Sequence, residues 1–517
     1  MIRRSDVQSE RFYDTIALLA VVSGKFLLHV GVNFSGGYGY FRDEFYYLAC
    51  ADHLAWGYVD HPPLSIGLLW LSRTFLGDSL PALRLLPAIA GALVVWWTGL
   101  IACEFGGRRF AQVLAALAVS IAPLFLAIHG FYSMNSFDHL FWVLSVYILA
   151  RLIKTHNPRW WLLLGFVLGL GLLNKISMLW FGFGLTIGLL LTPLRRYFLT
   201  KWPWIAAAIA FMLFLPHVLW QIAYDWPTLE FMQRAASLKM VLKSPLEFFG
   251  GQILGMHPFT LPIWLSGLYA YFGFKPLRRF QIFGWIYIAV FLFLFFNGAS
   301  RDYYLAPAYP MLFAAGAIVI EQLTRYRRRP WLKPLSLILL LIGGLITLPL
   351  VLPVLPVETY IRYQAKLGIA PSSEEKTALG QLPQHYADRY GWPEMAAAVA
   401  RVYQSLSPQE QAICGIFIEN YGEAGAIDFF GTQYGLPRAI SGHNNYWLWG
   451  PGEASGEVMI HVGGNLTQLQ QIYTDVRQAA VFTCEYCMPY ENNLPIYIGR
   501  GLRQPLDEIW PLAKNYI

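Results

Sequence analysis

The chain has 517 residues, of which 56% are hydrophobic and only 13% charged. A soluble protein of this length carries about a quarter charged residues, so a wholly water-soluble globule is excluded. The net charge of +7, with a pI near 9.0, would point to nucleic acid in a soluble chain. No basic stripe interleaved with aromatics is present to bind a strand, so basic loops on the inner face of a membrane are the expected source of that charge.

The first residues, MIRRSDVQSERFYD, lead into an apolar run that ends near Val30. That run is too long for a signal-peptide core and lacks a small-residue cleavage site, so it reads as an uncleaved first helix. The pattern predicts about eleven transmembrane helices, at 14–31, 80–103, 110–128, 137–153, 160–173, 176–193, 203–221, 248–271, 280–297, 303–320 and 335–355. Alternate loops then differ in charge. One set holds 16 basic residues: Arg108, Arg109, Arg151, Lys154, Arg159, Arg195, Arg196, Lys201, Lys275, Arg278, Arg279, Arg325, Arg327, Arg328, Arg329 and Lys333. The other holds 7: Arg42, Arg73, Lys175, Arg234, Lys239, Lys243 and Arg301. The basic set marks the cytoplasmic side, so the N-terminus is expected inside and residues 357–517 outside.

The first outer loop, 32–79, contains two amphipathic stretches, 43–56 and 64–75, expected to lie at the membrane surface. The loop 223–247 is also long, and long ordered loops on one face suggest function there. After Pro356 the composition changes. A helix-like run at 393–406 precedes strand candidates at 413–419, 458–462, 479–484 and 494–498, with a further element at 424–434. Strands alternating with helices predict a small α/β domain. The expected fold is therefore mainly α: a polytopic membrane domain over 1–356 and a soluble α/β domain over 357–517. Cys50 and Cys103 are expected to pack among apolar segments. Cys484 and Cys487 form a lone CxxC, read as two free thiols by default or as a local disulfide in an oxidising compartment. One such pair lacks the second ligand pair of a closed zinc site. The sequon at Asn465 is read as accidental.

Ionisable groups at helix ends on the outer face are the strongest chemical clues, because burying charge in a membrane is costly. Asp43 and Glu44 stand in YGYFRDEFYYLACADHLAWGYVDHPPL, where they either favour a helix N-terminus or belong to a site. Asp138, in FYSMNSFDHLFW, either caps the fourth helix or acts at the same face. Asp60 and His61 precede two prolines that set a turn. Lys175 lies in the outer turn of GLGLLNKISMLWF, and Arg301 opens RDYYLAPAYP with Tyr303 and Tyr304. Cations beside carboxylates on one face suggest a site for an anionic group.

The order and spacing of RDEFYY, VDHPPL, SFDHLFW, GLGLLNKIS and RDYYLAPAYP resemble the GT-C fold membrane glycosyltransferases. The likeness is to the family 39-like group that includes protein O-mannosyltransferases and the lipid A aminoarabinose transferases. It covers roughly residues 10–360. The tail motifs RYGWPEMA, ENYGEAGAIDFFG and SGHNNYWLWGP look like the soluble domain of bacterial members. The resemblance implies transfer of a sugar from a polyprenyl-phosphate donor to an acceptor hydroxyl at the outer face of a bacterial inner membrane, with inversion. The acceptor is left open among lipid, glycan and protein, and no nucleic-acid partner is expected.

On that resemblance Asp43 would be the general base, with Glu44 positioning it or binding the acceptor, and Asp138 would orient acceptor or donor sugar. Arg301 first and Lys175 second would meet the charge on the departing lipid phosphate. His61 departs from the pattern, which places Lys beside the prolines, and would contact phosphate only when protonated. Asp60, Tyr303 and Tyr304 join as further site candidates. No cofactor is certain; a divalent metal held by Asp60 and His257 is the one such expectation. In the tail, His443, Asn444, Asn445, Trp447 and Trp449 either contact sugar or pack the domain. The competing readings are a lipid-linked-sugar flippase or secondary transporter, and a non-catalytic sensor. Transporters tend to show repeated halves and midplane polar groups, and neither is visible here.

Overall fold

Apolar runs form helices near every expected place in a computed structural model, which describes residues 4–35, 37–326 and 329–517. Arg327 and Arg328, counted above in the last basic loop, lie outside the described residues. The chain divides into two compact units. The first contains residues 1–35, 76–220 and 242–355, and the second contains 36–75, 221–241 and 356–517. The second unit thus takes in most of the 32–79 loop and most of the 223–247 loop, which the expected boundary at 356/357 assigned to the membrane domain.

The first unit is helical. Its principal helices are Arg4–Ser35, Leu85–Glu104, Arg109–Ile121, Met134–Thr155, Trp160–Asn174, Met178–Leu190, Trp202–Ala223, Leu261–Gly273, Gln281–Phe296, Tyr309–Tyr326 and Leu332–Val351. Among the described residues, seven spans are long and apolar enough to cross a membrane, or eight if Met178–Leu190 and its continuation, bent by 105°, count as one. Two expected helices are broken. The run at 110–128 stops at Ala122, where Pro123 begins a new short helix, since proline cannot donate the hydrogen bond that would continue the first. Lys25 Nζ donates to the carbonyls of Ser120 and Phe125 at this break, at 3.4 and 3.1 Å, and so satisfies backbone groups for which lipid offers no partner. The run at 248–271 divides at Met256–Thr260, where His257 adopts φ +81° ahead of Pro258. Helices Leu261–Gly273 and Tyr309–Tyr326 touch through glycine. A Cβ on Gly316 would overlap the Ile263 carbonyl, and one on Gly267 the Leu312 carbonyl. Small residues let membrane helices approach to backbone contact in this way. Cys103, expected to pack, is exposed.

The second unit is built on a five-stranded mixed sheet. Its strands are β1 (Cys414–Ile418), β2 (Ala439–Ile440), β3 (Val458–Val462), β4 (Tyr473–Phe482) and β5 (Leu494–Leu502), in the order β2-β1-β3-β5-β4. β1 pairs parallel with β2 and β3, and β5 pairs antiparallel with β3 and β4. Every residue of β3 is buried, as a strand covered on both faces requires, whereas the edge strand β4 is buried only at its two ends. Helices Arg42–Asp52, Trp392–Gln404 and Tyr421–Phe430 belong to the same unit. Cys484 and Cys487 are joined in a disulfide, which corrects the default reading of two free thiols. Asn465 of the sequon caps its own helix, its side chain accepting from the amides of Thr467 and Gln468.

Candidate active site

In the first unit, Asp138 is the fifth residue of Met134–Thr155, one turn beyond the N-cap position at Ser133, and is nearly fully buried. It is therefore not the cap of that helix. Ser177 Oγ donates to its Oδ2 at 3.3 Å, Lys175 Nζ lies 3.9 Å away, and Oδ1 has no hydrogen-bond partner among the described residues. Lys175 ends helix Trp160–Asn174 in an extended conformation that turns its side chain toward this carboxylate. Its ammonium donates to Asn135 Oδ1 at 2.7 Å and stands 5.3 Å from the ring centroids of both Tyr303 and Tyr304. Asn174 Nδ2 donates to the Met134 carbonyl at 2.8 Å and so pins the turn. The structure thus brings together Asp138, Lys175, Tyr303 and Tyr304, and adds Asn135 and Ser177, which sequence reasoning missed.

Arg301 immediately precedes the turn Asp302–Ala308, in extended backbone and half-buried. That turn is fixed from two sides. Lys243 pairs with Asp302 at 2.8 Å, and Gln252 donates to the Asp302 carbonyl at 3.0 Å. Nearby in the sequence, an apolar groove of about 470 Å³ is lined by Phe183, Ile187, Leu292, Phe293 and Phe296. Trp180 connects it to the polar cluster, with its ring 6.2 Å from Phe293 and 5.3 Å from Tyr304.

In the second unit, Asp43 lies in the first turn of Arg42–Asp52 with its side chain about 35% exposed. Tyr421 donates to Asp43 Oδ1 at 2.9 Å, and Arg42 Nε lies 3.5 Å from the same oxygen. Arg42 is buried and is also paired with Glu375 at 3.4 Å and Asp388 at 3.7 Å, and bonded to the Tyr490 hydroxyl. Glu44 is fully buried and accepts from the Phe41 amide at 2.8 Å, so it closes the start of its own helix. Asp60 Oδ1 lies 2.9 Å from the Tyr46 hydroxyl, which also reaches Asn445 Oδ1 at 3.0 Å. His61 is fully buried, stacked on Tyr47 with centroids 5.0 Å apart, and its Nε2 sits 3.9 Å from Asp60. It is enclosed among Tyr46, Tyr47 and Tyr58, and its Nε2 has no hydrogen-bond partner among the described residues.

The two residues expected to hold a metal, Asp60 and His257, fall in different units. His257 Nδ1 accepts from the Phe259 amide at 3.2 Å, and the ring lies so close to Gly343 that a Cβ there would overlap Nε2. Asp60 belongs to the other unit, and among the described residues no three His, Cys, Asp or Glu side chains are grouped to hold a metal.

The polar–aromatic run at 443–449 is engaged in the domain interior. His443 Nδ1 accepts from the Tyr421 amide at 3.3 Å while Nε2 meets the Ile517 oxygen at 2.7 Å; burial, then Lys239, lowers its pKa to about 3. Asn444 Oδ1 accepts from the Ile517 amide at 3.1 Å, and Trp447 and Trp510 exchange indole-to-carbonyl bonds at 3.2 and 3.1 Å. Trp449 stacks on His53 at 4.4 Å.

Several carboxyls around Arg42 are deeply buried. Burial raises Asp388 to about 7 against the opposing pull of Arg42, and raises Glu423 to about 8 with Glu419 adding to the effect. The folded state therefore keeps a proton on Glu423 that the unfolded chain releases near its ordinary value of 4.5. This contribution to stability is fully present below about pH 4.5 and is lost as pH rises toward 8, at about 1.4 kcal/mol per unit. Glu423→Gln is expected to raise the melting temperature of the purified protein at pH 8.5 by roughly 5 °C and to leave it unchanged at pH 4, as measured by scanning fluorimetry.

Helices of membrane-crossing length and a separate α/β unit make this a multi-pass membrane protein, and the solved structures that it matches give its fold as GT-C. The fold matches ArnT from Cupriavidus metallidurans in the apo state with a TM-score of 0.60 at 14% identity, covering 94% of this chain and 97% of that one. The same enzyme bound to undecaprenyl phosphate matches with a TM-score of 0.58 over the same shares at 14% identity. Residues 60–220 match the family model described as dolichyl-phosphate-mannose-protein mannosyltransferase. A lipid A galacturonosyltransferase, RgtD of Rhizobium johnstonii, is 27% identical over 239 residues, 44% of this chain. That match spans about half of the relative, 48% of its length.

Proposed function

We propose that the protein is a glycosyltransferase that moves a sugar from a polyprenyl-phosphate carrier to an acceptor hydroxyl, with inversion at the anomeric carbon. The observation that carries this reading is Lys175. It is a largely buried ammonium paired with Asp138 beside two tyrosines, with Trp180 leading from Tyr304 to an apolar groove. A cation linked through two aromatic rings to an apolar groove suits a lipid phosphate, whose charge grows as the glycosidic C–O bond breaks. Arg301 would share that charge. Asp43 would accept the proton of the attacking hydroxyl, and Asp138 would orient donor or acceptor. The partial match to a mannosyltransferase model and the likeness to a lipid A galacturonosyltransferase support a transferase over a flippase. The transferred sugar is a hexose or pentose, and the acceptor a lipid, glycan or protein.

The basic loops support a cytoplasmic N-terminus and catalysis at the outer face of a bacterial inner membrane. The Cys484–Cys487 disulfide supports an oxidising compartment for the tail. Asp43→Asn, which keeps shape and removes the base, is expected to lower kcat by about 10²–10⁴-fold in nanodiscs with unchanged thermal stability. Retention of wild-type turnover would remove Asp43 from the mechanism.

A further inference from the structure

We propose that Tyr421 of the tail is a positioning residue for the transfer step, holding one oxygen of Asp43 so that the other is free to take the acceptor proton. This rests on the reading of Asp43 as base. Both contacts that Asp43 makes fall on Oδ1: the Tyr421 hydroxyl at 2.9 Å and Arg42 Nε at 3.5 Å. Oδ2 has no protein partner among the described residues, and the side chain is about 35% exposed. A carboxylate anchored through one oxygen and open at the other has the geometry a general base needs, since proton transfer requires hydrogen-bond reach in a fixed direction.

Tyr421 reaches Asp43 because of how its helix begins. It is the first residue of Tyr421–Phe430, and Asn420 caps that helix by accepting from the amides of Gly422 and Glu423 at 2.9 Å each. Gly422 and Gly425, three residues apart, share the helix face that meets Arg42–Asp52. A Cβ on Gly425 would sit 2.8 Å from the backbone of Phe45, and one on Gly422 would overlap the Arg42 side chain. The two helix starts are thereby set against each other at backbone distance. The tyrosine ring is held as well. Its centroid lies 4.6 Å from His443 and 4.7 Å from Tyr46, with the Arg42 guanidinium and the Lys239 ammonium 5.8 and 5.7 Å from it. Burial, with the charge of Asp43 beside it, keeps the phenol protonated and therefore a donor. Arg42, the weaker partner, is itself directed by Glu375, Asp388 and Tyr490. On this account the tail takes part in the chemistry through a single hydroxyl.

The test compares wild type, Tyr421→Phe and Asp43→Asn in nanodiscs with a synthetic polyprenyl-phosphate sugar. Tyr421→Phe is expected to lower kcat about tenfold, with KM for donor and acceptor within about twofold of wild type, because it misdirects the base without removing a substrate contact. In an Asp43→Glu background, whose longer carboxylate no longer meets the hydroxyl, the same change is expected to cost much less. Wild-type kcat in Tyr421→Phe alongside an inactive Asp43→Asn overturns the proposal and leaves the base reading standing. An active Asp43→Asn overturns the reading beneath it. If Tyr421→Phe misfolds, a ring-fluorinated tyrosine incorporated at 421 keeps the shape and alters hydroxyl acidity. A changed kcat then supports the proposal, and an unchanged one overturns it.

Discussion

Lys175→Met is expected to lower kcat/KM for a polyprenyl-phosphate sugar by about 10²–10³-fold, the scale seen when a preorganised donor to a developing negative charge is removed. The argument rests on burial. The Lys175 side chain is 12% exposed and Asp138 only 3%, so solvent screens this pair weakly. The same substitution leaves the Asp138 carboxylate buried and uncompensated, which costs about 3–5 kcal/mol in stability. The two effects separate in the double variant Lys175→Met/Asp138→Asn. Its melting temperature is expected to recover toward wild type because no buried charge remains, while turnover stays low. Recovery of turnover together with stability would show that Lys175 acts only as a structural partner.

Gly425→Val is expected to abolish most activity while leaving the helical bundle assembled. The added Cβ would press on the backbone of Phe45 at 2.8 Å, and backbone cannot swing away as a flexible side chain can. Overpacking of this kind typically costs about 1–3 kcal/mol. Here the strain falls on the helix Arg42–Asp52 that carries the candidate base. Limited proteolysis and near-UV circular dichroism would register a loosened tail unit, and the transfer assay a loss of at least about tenfold. Wild-type turnover with a valine at 425 would mean that the two helices do not need their close contact.

Much of the helical unit was legible because lipid imposes a simple demand. A span needs about twenty apolar residues, and composition alone reveals them. The breaks were less visible. Pro123 carries an obvious signal that the length of the 110–128 run concealed, whereas the positive φ of His257 has no signature beyond the proline that follows it. In the tail, β1, β3 and β5 stand out as apolar runs, but β2 has only two residues and is defined by its neighbour β1.

The candidate site residues of each unit were half legible. Asp43, Asp138, Lys175 and Arg301 declare themselves as charges at helix ends. Their partners do not, since Tyr421 is 378 positions from Asp43 and Asn135 is 40 from Lys175. Such pairings exist only once the chain is folded. The burial of His61 was hidden for the same reason: the tyrosines that enclose it are close in sequence, but their stacking is a tertiary fact. The clue that was present and unused is the glycine pair in ENYGEAG, whose i, i+3 spacing marks a helix face meant for close approach.

The central claim is that the carrier is cleaved. The most direct measurement reconstitutes the purified protein in liposomes with synthetic polyprenyl-phosphate sugars and a panel of lipid, glycan and peptide acceptors, then follows both lipid and sugar by mass spectrometry. The account predicts release of polyprenyl phosphate with the sugar joined to an acceptor hydroxyl in inverted configuration. Appearance of the intact sugar-bearing lipid in the opposite leaflet, with no cleavage across the panel, would contradict it and identify a transporter.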